Sequence, residues 1–286
     1  MKQLIVVLIP TYQEAETLEA LVRRIPRLVG SRRTTIVISD DCSPDGTAEI
    51  AKRLTPHVIT SAKNTGVGAN TLRAFAYIAQ MHDVEYVIKL DGDGQHDTEL
   101  IPDVVRALDK GADIVTCSRF HPEAVHVVTP LLDRILLNGI FADSMSHVTG
   151  WEITDARTGY MGLRWSDVRM LARRMIVERY GIPMEILLRI WRNNPKAVLK
   201  ELPHPARYES GISARLDAKY ATETIQEKST RLEVAYQAML AVLEDLDVSS
   251  EELMVSRKAG KIGAVYHRPA FAGQDASLEN RRFSSY

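Results

Sequence analysis

The sequence predicts an α/β fold, a mostly parallel sheet flanked by helices and followed by a helical extension. Three observations predict it. Short apolar, β-branched runs alternate with amphipathic helical segments through the first half of the 286-residue chain, the pattern of strand–helix–strand units. Polar clusters close successive apolar runs, at Pro10-Thr11-Tyr12, Asp40-Asp41, Asp91 to Gln95 and Ser118-Arg119. Open parallel sheets hold their ligands at those carboxyl ends. From about residue 218 strand signals cease and a long helical pattern takes over.

The elements follow in order. Residues 4–9 form a strand ending at Pro10, and a helix from about Glu14 to Leu28 carries Leu18, Leu21, Val22 and Ile25 on one face. Strand 35–39 ends at Asp40-Asp41; Ser43-Pro44-Asp45-Gly46 is a turn by composition, opening a helix over 47–54. A short strand at 58–60, a helix over 69–81 and a strand over 85–90 come next. Asp97 caps a helix over 98–109, which leads to a strand at 113–117. The second half is less regular. Thr129 caps a helix from Pro130 to about Met145, 155–160 is a loop, and helices span 166–179 and about 181–191. Residues 197–202 read as a last strand.

This order divides the chain into an α/β domain over 1–215, a helical extension over 216–256 and a polar, aperiodic tail over 257–286. Ile225, Leu232, Tyr236, Met239, Leu243 and Leu246 keep a three-and-four spacing. Such a seam either packs back on the α/β domain or joins two copies through helix 225–246.

Composition is that of an ordinary globular protein, 45% hydrophobic and 26% charged, and the net charge of -1 provides no global field for a polyanion. Locally the balance is uneven. Arg157, Arg164, Arg169, Arg173, Arg174, Arg179, Arg189 and Arg192 outnumber the acids around them. They read either as solvated helix faces or as contacts to phosphates or an anionic membrane surface. Cys42 and Cys117 support neither a disulfide framework nor a zinc site, so a reducing cytoplasm is the expected compartment. No run approaches a membrane span, which leaves peripheral attachment as the expected limit of membrane contact.

The run Asp91-Gly92-Asp93-Gly94-Gln95-His96-Asp97 carries the most chemistry. Side chains two apart on extended backbone point the same way, so Asp91 and Asp93 present two carboxylates to one point. With the amide oxygen of Gln95 they suit Mg²⁺ or Mn²⁺, which keeps part of its shell for water and substrate phosphates. His96 reads as a structural neighbour of the site rather than a ligand, and His121, His126, His147 and His204 have no metal-site spacing.

The order of these motifs resembles the family 2 glycosyltransferases of GT-A fold, above all the dolichyl- or polyprenyl-phosphate mannosyl- and glucosyltransferases. The matching pieces are residues 9–18, 40–47, 64–69, 91–96 and Ser118-Arg119, with weaker likeness at 155–160 and 207–215. The resemblance covers about residues 3–215 and implies transfer of a hexose, with inversion, from a UDP- or GDP-sugar to an acceptor, polyprenyl phosphate first. It implies that Pro10, Tyr12, Glu14 and Gly68 line the donor pocket and that Asp40 or Asp41 accepts from the base. Asp91 then lies near ribose and metal, Asp93 and Gln95 ligate the ion, and Arg119 with Arg207 or Arg215 neutralises the diphosphate. The lid departs from the family pattern, since Glu209-Ser210-Gly211-Ile212-Ser213-Ala214 lacks the usual basic neighbours.

A hydroxyl acceptor needs a general base. By the same resemblance Glu185 is the first candidate and Asp155 the second, although Glu185 also sits four residues before Arg189 and can simply pair with it. A phosphate acceptor is already largely ionised at neutral pH. The expectation is therefore that Glu185→Gln abolishes turnover on a hydroxyl and spares most of it on a lipid phosphate. Three other readings stand beside this one. A soluble acceptor (natural product, glycan, peptide or modified nucleic acid) is the alternative within the class. A nicotinamide oxidoreductase would use Gly66-Val67-Gly68, but position 71 is threonine and the acid pair is left idle. A non-catalytic sugar-nucleotide-binding module is the third.

Overall fold

A computed structural model describes residues 4–124, 132–205 and 224–249. Arg207, Arg215, the lid loop between them, Thr129 and the tail 257–286 lie outside the described residues.

Eight strands make one mixed sheet: β1 (Leu4–Thr11), β2 (Leu28–Val29), β3 (Arg32–Asp40), β4 (His57–Thr60), β5 (Val84–Lys89), β6 (Ile114–Ser118), β7 (Met161–Arg164) and β8 (Leu199–Pro203). Their order is β2-β3-β1-β5-β7-β6-β8, with β4 paired to the other end of β3. The pairs β1–β3, β1–β5, β3–β4 and β6–β8 are parallel, and β7 runs antiparallel between β5 and β6. Among the described residues eight α-helices accompany the sheet: α1 (Leu18–Arg24), α2 (Thr47–Leu54), α3 (Val67–Ile78), α4 (Ile101–Asp109), α5 (Leu132–Thr149), α6 (Trp165–Arg174), α7 (Ile182–Asn193) and α8 (Ile225–Asp245).

Alternation along the strands divides the core between the two faces of the sheet. Val6, Leu8, Val37, Val84, Val87 and Ile114 pack with α3 and α5–α8, while Ile5, Val7, Ile9, Ile38, Ile88 and Val115 pack with α1, α2 and α4. Both faces of β1 are covered, so Ile5 to Ile9 read as one continuous apolar run and are fully buried. The register then builds the functional edge. Thr11 stands opposite Asp40, and Leu8 opposite Lys89. The polar clusters that follow these strands therefore meet at one rim.

Two expected helices are shorter than their sequence patterns. The first spans only Leu18–Arg24, because Ile25 precedes Pro26 and turns extended (φ -69, ψ 126). Residues 28–29 instead join the sheet beside β3. The helix expected over 166–179 ends at Arg174, and Met175 is extended. The amides of Ile176 and Val177 bond to the Glu185 carboxylate at 2.7 and 3.0 Å, a tertiary contact that replaces the helical ladder. Asp97 does cap its helix, accepting from Glu99 N.

The extension helix packs on the catalytic domain. Ala235, Met239, Val242 and Leu243 are buried against the core shared with α7, and Leu232 and Leu246 pack at its margin. Of the expected seam residues whose side chains are described, only Tyr236 is largely exposed. Among the described residues no helix is long and apolar enough to cross a membrane.

Candidate active site

A cavity of about 610 Å³ opens at the carboxyl edge of β1, β3 and β5. Pro10, Tyr12, Glu14 and Asp41 line it at the ends of β1 and β3, Lys89, Asp91 and Asp93 form its floor at the end of β5, and Arg157, Arg179 and Tyr180 also line it. Ala235 of α8 completes the lining.

Asp91 is held by three neighbours. Lys89 Nζ, almost wholly buried, donates to its Oδ1 at 2.8 Å and to Gly159 O at 3.3 Å. His96 Nδ1 accepts from the Asp91 amide at 3.1 Å, and a Cβ on Gly159 would lie 2.1 Å from Asp91 Oδ2. Only glycine lets the backbone before β7 come this close. Burial works against the charge on Asp91, but Lys89 and His96 outweigh it and hold the carboxyl well below its ordinary range. His96 itself, stacked on Tyr160, is buried and driven down to about 4, so it is neutral near pH 7. Tyr160 Oη donates to Asp97 O and His204 Nε2 accepts from Asp97 N, which pins the end of the acidic run.

Asp93 differs from its neighbour. Burial and the adjacent Asp91 charge push it up to about 7, although the Gln95 amide donates to its Oδ1 at 3.0 Å. Glu14 rises to about 8, from burial and the Asp93 charge. Asp93 and Glu14 thus share a rim with the ionised Asp91, whose charge disfavours theirs, and a cation there would relieve both. Among the described residues no three His, Cys, Asp or Glu side chains converge as a ready-made metal cage. Asp91 and Asp93 nevertheless fit an oxygen-seeking divalent ion that takes its other ligands from water and phosphate. Gln95 is buried and does not line the cavity.

The paired acids after β3 do structural work that sequence alone did not separate. Asp41 accepts from Thr65 N, Gly66 N, Thr65 Oγ1 and Arg73 Nη2 at 2.7 to 2.9 Å, and lines the cavity. Burial opposes its charge, and these donors hold its pKa below the usual value. Asp40 lies outside the lining; its carboxylate accepts from Ser43 N, Ser43 Oγ and Thr11 Oγ1, shaping the loop after β3. Gly68 also lies outside the lining. A Cβ there would meet Val177 O at 2.1 Å, and the next residue, Ala69, donates its amide to Glu178 O. The glycine turn thus seats segment 176–180 against α3.

The two base candidates lie outside the cavity lining. Glu185 is fully buried, and its carboxylate accepts from Ile176 N, Val177 N and Arg189 Nε. Asp155 is fully buried in a two-pronged pair with Arg119, at 2.7 and 3.0 Å. Neither Arg119 nor its partner lines the cavity.

Lys89, Gly159 and segment 176–180 are site components the sequence reading missed. A lysine closing the strand just before the acidic run was a usable signal for the first. Segment 176–180 had none, since its place depends on Glu185.

Fold and site together define the class, a GT-A type α/β protein with an acid pair at the rim of a nucleotide-sized cleft. Residues 6–170 match the model of glycosyl transferase family 2, and the chain belongs to that family. It is 30% identical over 226 residues to a dolichol-phosphate mannosyltransferase of Pyrococcus furiosus, covering 77% of this chain and 60% of that protein. It is 30% identical over 164 residues to a polyprenol monophosphomannose synthase of Mycolicibacterium smegmatis, covering 55% of this chain and 60% of that one. The matched regions thus span about 60% of the length of these relatives. Among solved structures, mannosyl-3-phosphoglycerate synthase of Rubrobacter xylanophilus superposes with a TM-score of 0.62 at 14% identity, covering 87% of this chain and 76% of that one. Glucosyl-3-phosphoglycerate synthase of Mycobacterium tuberculosis, bound to Mn²⁺ and UDP-glucose, gives 0.58 at 16% identity, with 87% and 80% covered. At such identities these two likenesses establish the fold.

Proposed function

We propose that this chain moves a hexose from a UDP- or GDP-sugar to polyprenyl phosphate, inverting the anomeric centre by a single displacement. The observation that carries the reading is the contrast within the acid pair. Asp91 is fixed by Lys89, while Asp93 stays short of a counter-charge at the cavity floor. On this reading Pro10, Tyr12 and Asp41 bound the nucleoside side, with Asp40 holding the loop that carries Asp41. Asp91 and Asp93 hold Mg²⁺ or Mn²⁺ beside the diphosphate, and Glu14 adds negative charge at the same rim. A bound divalent ion would offset the charge that builds on the leaving diphosphate. Lys89 keeps Asp91 oriented, and Arg157 and Arg179 add positive charge to the lining, suited to an anionic acceptor.

The base question supports a phosphate acceptor. Glu185 and Asp155 are engaged by amides and arginines outside the cavity lining. A phosphate needs no such group, because at neutral pH it is already largely ionised. Peripheral contact with a membrane fits the surface: Leu136 and Ile140, one turn apart on α5, remain 58% and 55% exposed.

The test is transfer of radiolabelled sugar from GDP-mannose and UDP-glucose to polyprenyl phosphate or 3-phosphoglycerate, with Mn²⁺, with Mg²⁺ and with neither. Label in the organic phase, dependent on polyprenyl phosphate and a divalent ion, is the expected result. Label confined to the aqueous phase with 3-phosphoglycerate would move the reading to a soluble acceptor, and no transfer with any pair would overturn it.

A further inference from the structure

A second cavity, of about 190 Å³, lies away from the acid pair where α6, α7 and the end of α8 meet. Its lining is Met170, Arg174, Arg189, Arg192, Asn193 and Leu246. Arginines near helix C-termini are common, since they balance the carbonyl ends. The arrangement here goes beyond that. Arg189 is only 3% exposed, and its Nε donates to Glu185 at 2.8 Å. Its Nη2 is buried without an aligned hydrogen-bond acceptor among the described residues. Asp245 Oδ2 stands 2.8 Å from that nitrogen, close enough for charge attraction but off the N–H directions, and its side chain is 43% exposed at the margin. Arg192 donates to Asp247 O at 3.2 Å. Arg174, at the end of α6, is exposed at the mouth.

Three arginines therefore line one cavity, while the two carboxylates against Arg189 lie outside its lining, and one of these, Glu185, is also engaged by the amides of Ile176 and Val177. Buried donors in folded proteins are as a rule satisfied. The forked, always-charged guanidinium matches the oxygens of a phosphate, and the volume exceeds the roughly 30 Å³ share of a single water several-fold. We propose that this cavity is an anion site for a phosphate group, held by Arg174, Arg189 and Arg192 with Asn193 as a neutral donor. The ligand is a free phosphate or the phosphate of a lipid headgroup. It occupies a site separate from the sugar-nucleotide cleft.

The test is calorimetric titration of the full chain with inorganic phosphate at constant ionic strength, with chloride as the control anion. Wild type, Arg174→Gln and Arg174→Lys are compared, since Arg174 is exposed and its replacement leaves the Arg189–Glu185 pair intact. Binding by wild type, weakened about tenfold or more by Gln and less by Lys, and retained under saturating UDP or GDP, is the expected result. Absence of phosphate binding overturns the proposal. So does binding that UDP or GDP abolishes and that the Arg174 changes leave untouched, which would place the anion in the main cleft. Sedimentation with phosphatidylcholine vesicles, with and without phosphatidic acid, then separates the two sources. Arg174-dependent capture by phosphatidic acid, competed by phosphate, assigns a lipid headgroup; phosphate binding without capture assigns a soluble anion.

Discussion

Lys89 Nζ stands 2.8 Å from Asp91 Oδ1 beneath the cavity floor, and Lys89 is only 2% exposed. Among the described residues the ammonium has no other charged partner within bonding distance and otherwise donates only to Gly159 O. Removing the Asp91 charge therefore strands a buried cation. Asp91→Asn should destabilise the fold by about 1–3 kcal/mol, below the cost of breaking a fully buried pair because Asp91 is partly exposed. Asp93→Asn should do the opposite at pH 8. The folded-state pKa of Asp93 is raised to about 7, so whatever stability the group contributes is present below its unfolded value and lost as pH rises through 7. Its amide thus raises Tm at pH 8, and the gain shrinks toward pH 4. Thermal melts of both variants at the two pH values check this; shifts of the same sign at pH 8 would contradict it.

Gly159 is where a single methyl group should do most damage. A Cβ there would meet Asp91 Oδ1, Cγ and Oδ2 at 2.5, 2.5 and 2.1 Å, and Asp91 is already fixed by Lys89 and His96. Either the carboxylate rotates off Lys89 or the backbone before β7 retreats. Gly159→Ala should cost about 1–3 kcal/mol as overpacking and weaken nucleotide-sugar binding more than Tm alone would suggest. Calorimetric affinity for UDP- and GDP-sugars, read beside Tm, separates the two effects.

Much of this site was legible because its parts follow strand ends. Apolar runs ending in polar clusters placed Pro10, Tyr12, Asp41 and Asp91 at one edge. Asp91 and Asp93 both reach the cavity, although the run turns after β5 and does not continue extended. What stayed hidden depends on contacts between distant segments. β7 is four residues, Met161-Gly162-Leu163-Arg164, too short for a periodic signal, yet it brings Gly159 to Asp91. The helical pattern over 166–179 is genuine locally, but Glu185 captures two of its amides and ends it early. Paired acids at 40 and 41 look equivalent in sequence, and only the fold turns Asp40 to Ser43 and Asp41 to Thr65 and Gly66.

Metal binding should report the state of Asp93. Burial and Asp91 raise its pKa to about 7, and a coordinating carboxylate must be ionised. Mn²⁺ affinity in the presence of UDP or GDP should climb with pH below about 7, by up to about tenfold per unit for one displaced proton, and level off above it. Glu14, raised to about 8, can extend the climb slightly. Paramagnetic resonance of free Mn²⁺ across that range measures it. Asp93→Asn should bind weakly and without the slope; a flat wild-type profile would separate Asp93 from the ion.

Glu185 provides the sharpest test of what the fold changes in the sequence reading. Its carboxylate holds Ile176 N, Val177 N and Arg189 Nε, and the segment it anchors supplies Arg179 and Tyr180 to the cavity wall. Glu185→Gln keeps the shape but places an amide donor among three donors, so part of the cluster must open. Breaking a buried pair of this kind costs about 3–5 kcal/mol. The expected signature is a lower Tm and a raised donor KM, with kcat reduced equally on polyprenyl phosphate and on a hydroxyl acceptor. A catalytic base would instead leave Tm and donor KM nearly unchanged and lose kcat on the hydroxyl alone. Steady-state kinetics on both acceptors, with a melt of the same preparation, distinguishes a positioning residue from a base.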